Sequence, residues 1–280
     1  MLSFPIGVML DSFRLPVDES IRKAVEIGAK GFQMYATYGE YAPENMTPAK
    51  TRELLDKVKS NGLVFSALCG DLGRGFGNKE LNPELIEKSK RILDLAKELE
   101  TDVVTTHIGV VPRDPSVDRY KIMQEACFEL ARYADSVGAH FAIETGPETS
   151  AVLKEFLDAL GSTGVGVNLD PANLVMVTGD DPAGAVINLQ KYIVHTHAKD
   201  GRQLFYKDPE IVYGIKKDPL VTDASFIEVP LGEGDVPWER YLNALEDIGY
   251  HGFLTIEREV GDDPARDIGI AVEFLRKLGC

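Results

Sequence analysis

Short apolar runs alternate along the chain with longer stretches whose apolar positions recur every three to four residues, the signature of strands alternating with amphipathic helices. The first run, Phe4–Leu10, precedes a helical pattern through Ile21, Ala24, Val25 and Gly28, with Asp18 as its expected N-cap. Gly31–Tyr35 is the second run. Thr47-Pro48 pairs a cap residue with proline at the first helical position, and Leu54, Leu55 and Val58 carry that helix to Asn61-Gly62. Leu63–Cys69 is the third strand. Asn82-Pro83 repeats the cap-and-proline pattern before a helix through Ile86, Ile92, Leu93 and Leu99. Val103–His107 is the fourth strand, and a long helix covers Val117–Val137.

The alternation continues to the end of the chain. Phe141–Glu144 is strand five and Val152–Leu160 a helix. Val165–Asp170 is strand six, followed by an irregular helical region up to Leu189. Tyr192–His197 is strand seven. A long loop, Arg202–Val229, leads to a helix over Pro237–Ile248 and to strand eight, Phe253–Glu257. The last helix starts after Asp262-Asp263-Pro264 and buries Ile268, Ala271, Val272, Leu275 and Leu278; its Arg276 and Lys277 lie at the end the helix dipole favours for cations.

Eight strand–helix units with no polar linker imply one α/β domain over residues 1–280. The length of 280 residues is near the ~250 typical of a single (β/α)8 TIM barrel. That is the expected fold, with a doubly wound open sheet as the runner-up. A net charge of −15 argues against nucleic acid and against an anionic membrane surface as partners. The three cysteines are widely spaced without a CxxC, which fits a reducing compartment and excludes a disulfide framework. The first residues lack a basic region before their apolar ones, and no apolar run reaches the ~18 residues a membrane span needs. A cytoplasmic location is expected.

In a barrel of this kind the active site lies where the strands end and the βα-loops begin. Alternate residues of a strand share a face. If Phe141 and Ile143 face the helices, Glu144 points into the barrel; the same count brings Asp170, Glu257 and His197 to the rim, with His195 one layer deeper and Ile193 beneath it. Three carboxylates and an imidazole would repel unless a cation held them. Such an oxygen-and-nitrogen set suits a divalent metal ion, Mn²⁺ first, then Mg²⁺ or Co²⁺, with Zn²⁺ also compatible. The competing reading makes each acid a cap of the following helix, most readily Asp170 before Pro171.

The chain resembles the xylose isomerase-like barrels, the group that includes ketose 3-epimerases, hydroxypyruvate isomerase, inosose dehydratase and, more distantly, endonuclease IV. The resemblance covers essentially the whole chain and is most specific in IETGPET (Ile143–Thr149), NLDPANL (Asn168–Leu174), HTHAKDG (His195–Gly201), PLGEGDVPW (Pro230–Trp238) and GYHGFLTIERE (Gly249–Glu259). It implies that Glu144, Asp170, His197 and Glu257 bind the metal and that Glu144 and Glu257 also act as acid and base. There are departures. Asn173 stands where the 3-epimerase branch has a substrate-contacting histidine, Gln203 where it has an arginine (with Arg202 adjacent), and Gln33 where many members have Glu.

His107, Asn173, Lys199 and Arg202 are the residues expected to meet substrate. The alternative reading of Lys199 and Asp200 is an ion pair with each other. His140 and His251 start their strands and are assigned no function. Gly70–Gly77 lacks the GxGxxG spacing and is expected to be a mobile lid, not a phosphate cradle. The aromatic residues of Arg202–Val229 are expected to cover a sugar or a neighbouring subunit, which leaves a homo-oligomer open. The function these residues imply is a metal-dependent isomerase or epimerase of a sugar or related polyol ketone, working through an enediolate held by the metal. A dehydratase or lyase acting by β-elimination on a keto-inositol or keto-glycoside is the alternative. An endonuclease IV-like phosphodiesterase and a non-catalytic sugar-binding barrel rank lower.

Overall fold

Eight parallel strands close into a ring in the computed structural model, which describes residues 4–217 and 223–280. They are β1 (Ile6–Met9), β2 (Gly31–Tyr35), β3 (Val64–Cys69), β4 (Val103–Thr106), β5 (His140–Glu144), β6 (Val165–Leu169), β7 (Ile193–Ala198) and β10 (Leu254–Ile256); between the last two lies an antiparallel hairpin of β8 (Asp200–Gln203) and β9 (Phe226–Val229). The ring runs β1-β10-β7-β6-β5-β4-β3-β2, so the observed fold is the (β/α)8 barrel and not the open sheet. Its helices are α1 (Val17–Glu26), α2 (Pro48–Ser60), α3 (Asn82–Glu98), α4 (Asp118–Val137), α5 (Ser150–Leu160), the short α6 (Pro171–Asn173), α7 (Pro182–Leu189), the short α8 (Pro209–Val212), α9 (Trp238–Asp247) and α10 (Pro264–Lys277). None of the described helices is long and apolar enough to cross a membrane.

Local signals start several helices where the sequence places them. The Thr47 hydroxyl accepts from Lys50 N–H, and Asp263 accepts from Arg266 N–H, ahead of α2 and α10. Two cap expectations fail. Helix α1 begins at Val17 with Pro16 before it, so Asp18 lies inside the first turn and pairs with Lys57 at 2.7 Å. Asn82 is the first residue of α3, and its amide donates to the Phe76 carbonyl at 3.0 Å instead of capping. The irregular region after β6 resolves into α6, a π-helical turn over Leu174–Thr178, and α7.

The outward strand residues form the main core. Val8, Phe32, Leu68, Val104, Phe141, Ile143, Val167 and Ile256 pack against helix residues such as Ile21, Val58, Leu93, Leu130, Leu157, Leu245 and Ile268. Each such side chain contributes roughly 1.5–3 kcal/mol of burial, ample to fix which strand face looks inward. Inside the barrel, a small apolar floor is made by Ala67, Val103, Ala142 and Val194. Above it the buried polar side chains of Gln33, Ser66, Thr105, Asn168, His195 and Thr255 hydrogen-bond to one another across strands.

The period of two breaks on β7. Strict alternation puts Ile193 beneath His195, but the β6–β7 register shifts between Val167 and Asn168, pairing Val167 with Ile193 and Asn168 with His195. Val194 and His195 therefore both turn inward, and Ile193 packs with the outer core. Val194 fits because Gly166 faces it: a Cβ there would lie 2.6 Å from Val194 Cγ2. The stretch Arg202–Val229 also departs from expectation, since its two ends pair as a hairpin (Arg202 with Ile227, Gln203 with Phe226) and its middle contains α8.

Candidate metal centre

Four strand ends converge at the rim. Glu144 closes β5, Asp170 follows β6, His197 lies in β7 and Glu257 follows β10; one ligand-type atom from each lies within 4.8 Å of all the others. Nδ1 of His197 is 3.4 Å from Glu144 Oε1, 3.5 Å from Asp170 Oδ2 and 3.4 Å from Glu257 Oε2. The capping reading of Asp170 accounts for one of its two oxygens. Its Oδ1 accepts from Asn173 N–H at 2.9 Å and so caps α6, while Oδ2, buried in the cluster, has no hydrogen-bond partner. An orphaned carboxylate oxygen beside two further carboxylates and an imidazole is what a cation would satisfy. The donor set is all oxygen and nitrogen, which fits a hard or borderline divalent ion.

The charges are mutually tuned. Burial works against a charged His197, yet Glu257 and Glu144 hold its pKa well above the ordinary range. Burial likewise opposes an ionised Glu257, yet Lys199 and His197 hold its carboxyl well below the usual carboxylate range.

The polar layer underneath orients the cluster. Nε2 of His197 lies 2.9 Å from Gln33 Oε1, whose own amide donates to Thr105 Oγ1 at 2.7 Å. Gln33 presents an acceptor for a proton on Nε2, and Nδ1 is the atom that faces the carboxylates. Asn168 donates to Glu144 Oε2 at 3.2 Å, and its Oδ1 is 2.8 Å from His195 Nδ1. His195 takes the Thr255 hydroxyl on its other nitrogen at 2.9 Å. Burial and the neighbouring His197 push the pKa of His195 well down, so it is neutral. The two histidines of HTH are thus divided by their partners, one facing the rim cluster and one below it.

A cavity of about 1110 Å³ opens above the cluster and is lined by Glu144, Glu257, His107, Asn173 and Lys199 among others. His107 stands with Nδ1 3.3 Å from Asp71 Oδ2 and Nε2 3.7 Å from Glu144 Oε1. Burial lowers its pKa, but Glu144 and Asp71 more than reverse this and push it up to about 9. Asn173 donates to Glu144 Oε1 at 3.1 Å. Gly146 permits that approach, since a Cβ there would lie 3.0 Å from Asn173 Cβ.

Lys199 pairs with Glu257 at 3.0 Å and with Glu259, not with Asp200. Asp200 turns away from the cavity and accepts from Gly201, Gly232 and Val236 N–H and from Trp238 Nε1–H, so PLGEGDVPW is a loop wrapped around one carboxylate. Arg202 is not brought to the site. It lies on the exposed hairpin, bonded to the Glu233 carbonyl and 3.8 Å from Asp235. The Gly70–Gly77 loop lines the cavity but is anchored, with Phe76 buried and its N–H donating to the Ile108 carbonyl at 2.8 Å. Three residues are not anticipated by the sequence in these roles: Gln33 and Asp71 as partners of the two site histidines, and Glu148, whose Oε2 accepts from Val111 N–H; of the aromatics expected over the site, Tyr213 and Phe226 do line the cavity. Asp71 carried a usable signal, because it follows the third strand as Asp170 follows the sixth.

A model of the xylose isomerase-like TIM barrel matches residues 21–278. Inosose dehydratase from Clostridium tetani is 24% identical over 257 residues, 86% of this chain and 71% of the relative. The crystal structure of a xylose isomerase domain protein from Planctomyces limnophilus superposes with a TM-score of 0.79 at 25% identity, covering 99% of this chain and 97% of the other. D-psicose 3-epimerase from Clostridium cellulolyticum H10 shares the fold, with a TM-score of 0.72 at 16% identity over 99% of this chain and 100% of the other.

Proposed function

The chain belongs to the xylose isomerase-like TIM barrel family, and from that premise we propose that it is a divalent-metal-dependent isomerase or epimerase of a ketose or related polyol ketone. The observation that carries the reading is the pairing of Glu144 and Glu257 in one cluster from strands that are not neighbours: β6 and β7 separate β5 from β10 in the ring. Glu144, Asp170, His197 and Glu257 would hold the ion, most fittingly Mn²⁺. When bound there, the metal supplies Lewis-acid polarisation of the substrate carbonyl and an adjacent hydroxyl, acidifying the C–H between them.

The residues of the chain do the rest. One glutamate removes the proton from one face of the substrate and the other returns a proton to the opposite face or the neighbouring carbon. Lys199, beside Glu257, keeps that carboxylate ionised. His107 and Asn173, both next to Glu144, present donors to substrate hydroxyls at the same wall. Glu257→Gln keeps the shape but removes the base. In the Mn²⁺-loaded variant, turnover on the true ketose is expected to fall by roughly 10²–10⁴-fold with metal content retained; unchanged turnover would sink the assignment.

A second reading keeps the residues and changes the outcome to β-elimination. It is supported by the likeness to inosose dehydratase and by the Lys199 ammonium on the cavity wall beside Glu257, a group able to protonate a departing oxygen. Reaction in D₂O separates the two, since deuterium in a recovered isomer signals reprotonation and loss of water or aglycone signals elimination.

A further inference from the structure

A second cavity of about 510 Å³ adjoins the first, and Val110 and Arg119 line both. The inner cavity alone already exceeds the roughly 300–1,000 Å³ common for drug-sized ligands, so a free six-carbon ketose would leave most of this space as water. The outer cavity is also built to bind something. Glu148, only 6% exposed, lines it; Oε2 accepts from Val111 N–H at 3.3 Å, while Oε1 is buried with no partner. Arg119, on the boundary between the cavities, gives a terminal nitrogen to Glu210 and leaves its Nε–H buried without a partner among the described residues. Buried polar atoms without partners are rare and costly, and here the two residues that carry them both line one cavity. A hydroxyl, which both donates and accepts, can serve each of them. Tyr206, 62% exposed, adds an aromatic ring at the same cavity.

The charge balance restricts what the outer cavity takes. Its cations are Arg113, Arg119 and Lys216, against Asp114, Asp208 and Glu210, with the Glu148 carboxyl buried beside them. Glu210 engages both Arg119 and Lys216, and Lys216 also lies 3.6 Å from Asp208. Little positive potential remains for a phosphate. Hydroxyls facing planar polar groups, with an aromatic face at the edge, are the chemistry of a neutral sugar ring.

We infer that the outer cavity is a second sugar-ring subsite, so that the ketose unit reaching the rim cluster carries a further neutral glycosyl unit bound between Tyr206 and the Glu148–Arg119 wall. The inference rests on the proposed ketose chemistry and adds the size and charge of the substrate. It is tested by calorimetric titration of the Mn²⁺-loaded protein with D-fructose, D-fructose 6-phosphate and three ketose disaccharides of different linkage: turanose, lactulose and palatinose. At least one disaccharide is expected to bind about 10-fold or more tighter than fructose, and both Glu148→Gln and Tyr206→Ala should shrink that ratio at least about fivefold. Tyr206→Ala alters an exposed ring and reports even if the buried Glu148 variant folds poorly. Equal or weaker binding of every disaccharide, a preference for fructose 6-phosphate, or a ratio untouched by both variants would overturn the subsite while leaving the proposed function standing. If no ketose of either size binds, the proposed function itself fails.

Discussion

The rim cluster and the outer cavity lie on the same face of the barrel but are made of different material. Cluster residues sit in or directly after strands, and the ladder fixes where each points. Beneath them a connected layer hydrogen-bonds the ligand-type side chains, and the fully buried Asp170 Oδ2 is left without a partner among the described residues, where a cation would stand. The outer cavity is assembled mostly from loops, around residues 110–119, 147–148 and 206–216, and it keeps an unpartnered donor and an unpartnered carboxyl oxygen. The contrast separates two jobs. A preorganised strand-borne centre suits the invariant chemistry, and a loop-borne neighbour suits recognition of whatever the reacting unit is attached to.

The sharpest way to break that contrast is to loosen the layer beneath the cluster. Gln33 touches neither cavity opening; its part is to hold His197 with Nδ1 forward. Gln33→Leu removes that acceptor and is expected to weaken Mn²⁺ binding by about 10–100-fold, as loss of an outer-shell partner does elsewhere. Gln33→Glu restores an acceptor for Nε2–H and should recover most of the affinity. Competition against a fluorescent chelator measures both; a Leu variant that binds Mn²⁺ like the parent protein would show that His197 is oriented by packing alone.

The outer cavity makes a different demand, visible in stability against pH. Burial pushes the Glu148 carboxyl up to about 8. The folded chain therefore keeps a proton there that the unfolded chain releases near its ordinary value of 4.5. With more protons bound folded than unfolded, the contribution is fully present below about 4.5 and is lost as the pH rises through about 8. Glu148→Gln, neutral at every pH, should gain on the parent protein across that window, with a slope of up to about 1.4 kcal/mol per pH unit. Urea midpoints at pH 5, 6.5 and 8.5 check this, and parallel curves for the two proteins would mean that Glu148 ionises freely in the fold.

The same division governed what could be read from the chain. Strand ends were legible because a period of two, anchored by outward Phe141 and Ile143, leaves Glu144 only one direction to point, and the same holds for Glu257 after Ile256. The count failed at Ile193, where a register shift inserts Val194 into the interior, and nothing in IVHTH itself marks the bulge; the only trace is Gly166 on the facing strand. Asp18 and Asn82 misled because cap residue types also serve first-turn and loop-anchoring roles. Glu148 and Arg119 were beyond reach, since no periodicity links a loop after β5 to the start of α4.

Arg202 tests the lowest rung of the comparison. Its place in the sequence, five residues after His197, makes it a natural candidate to meet substrate, yet Asp200–Gln203 departs from the barrel as the first strand of a hairpin. That hairpin carries the Arg202 side chain to the surface, 53% exposed, where its contacts are the Glu233 carbonyl and a distant Asp235. An exposed pair at such separation contributes little against side-chain entropy and solvent screening. Arg202→Ala should accordingly change stability by no more than about 0.5 kcal/mol and leave Mn²⁺ affinity and ketose turnover where they were. A loss of turnover in that variant would mean that the hairpin folds over the cavity when substrate binds, and the boundary drawn between strand-borne chemistry and loop-borne recognition would have to move to include it.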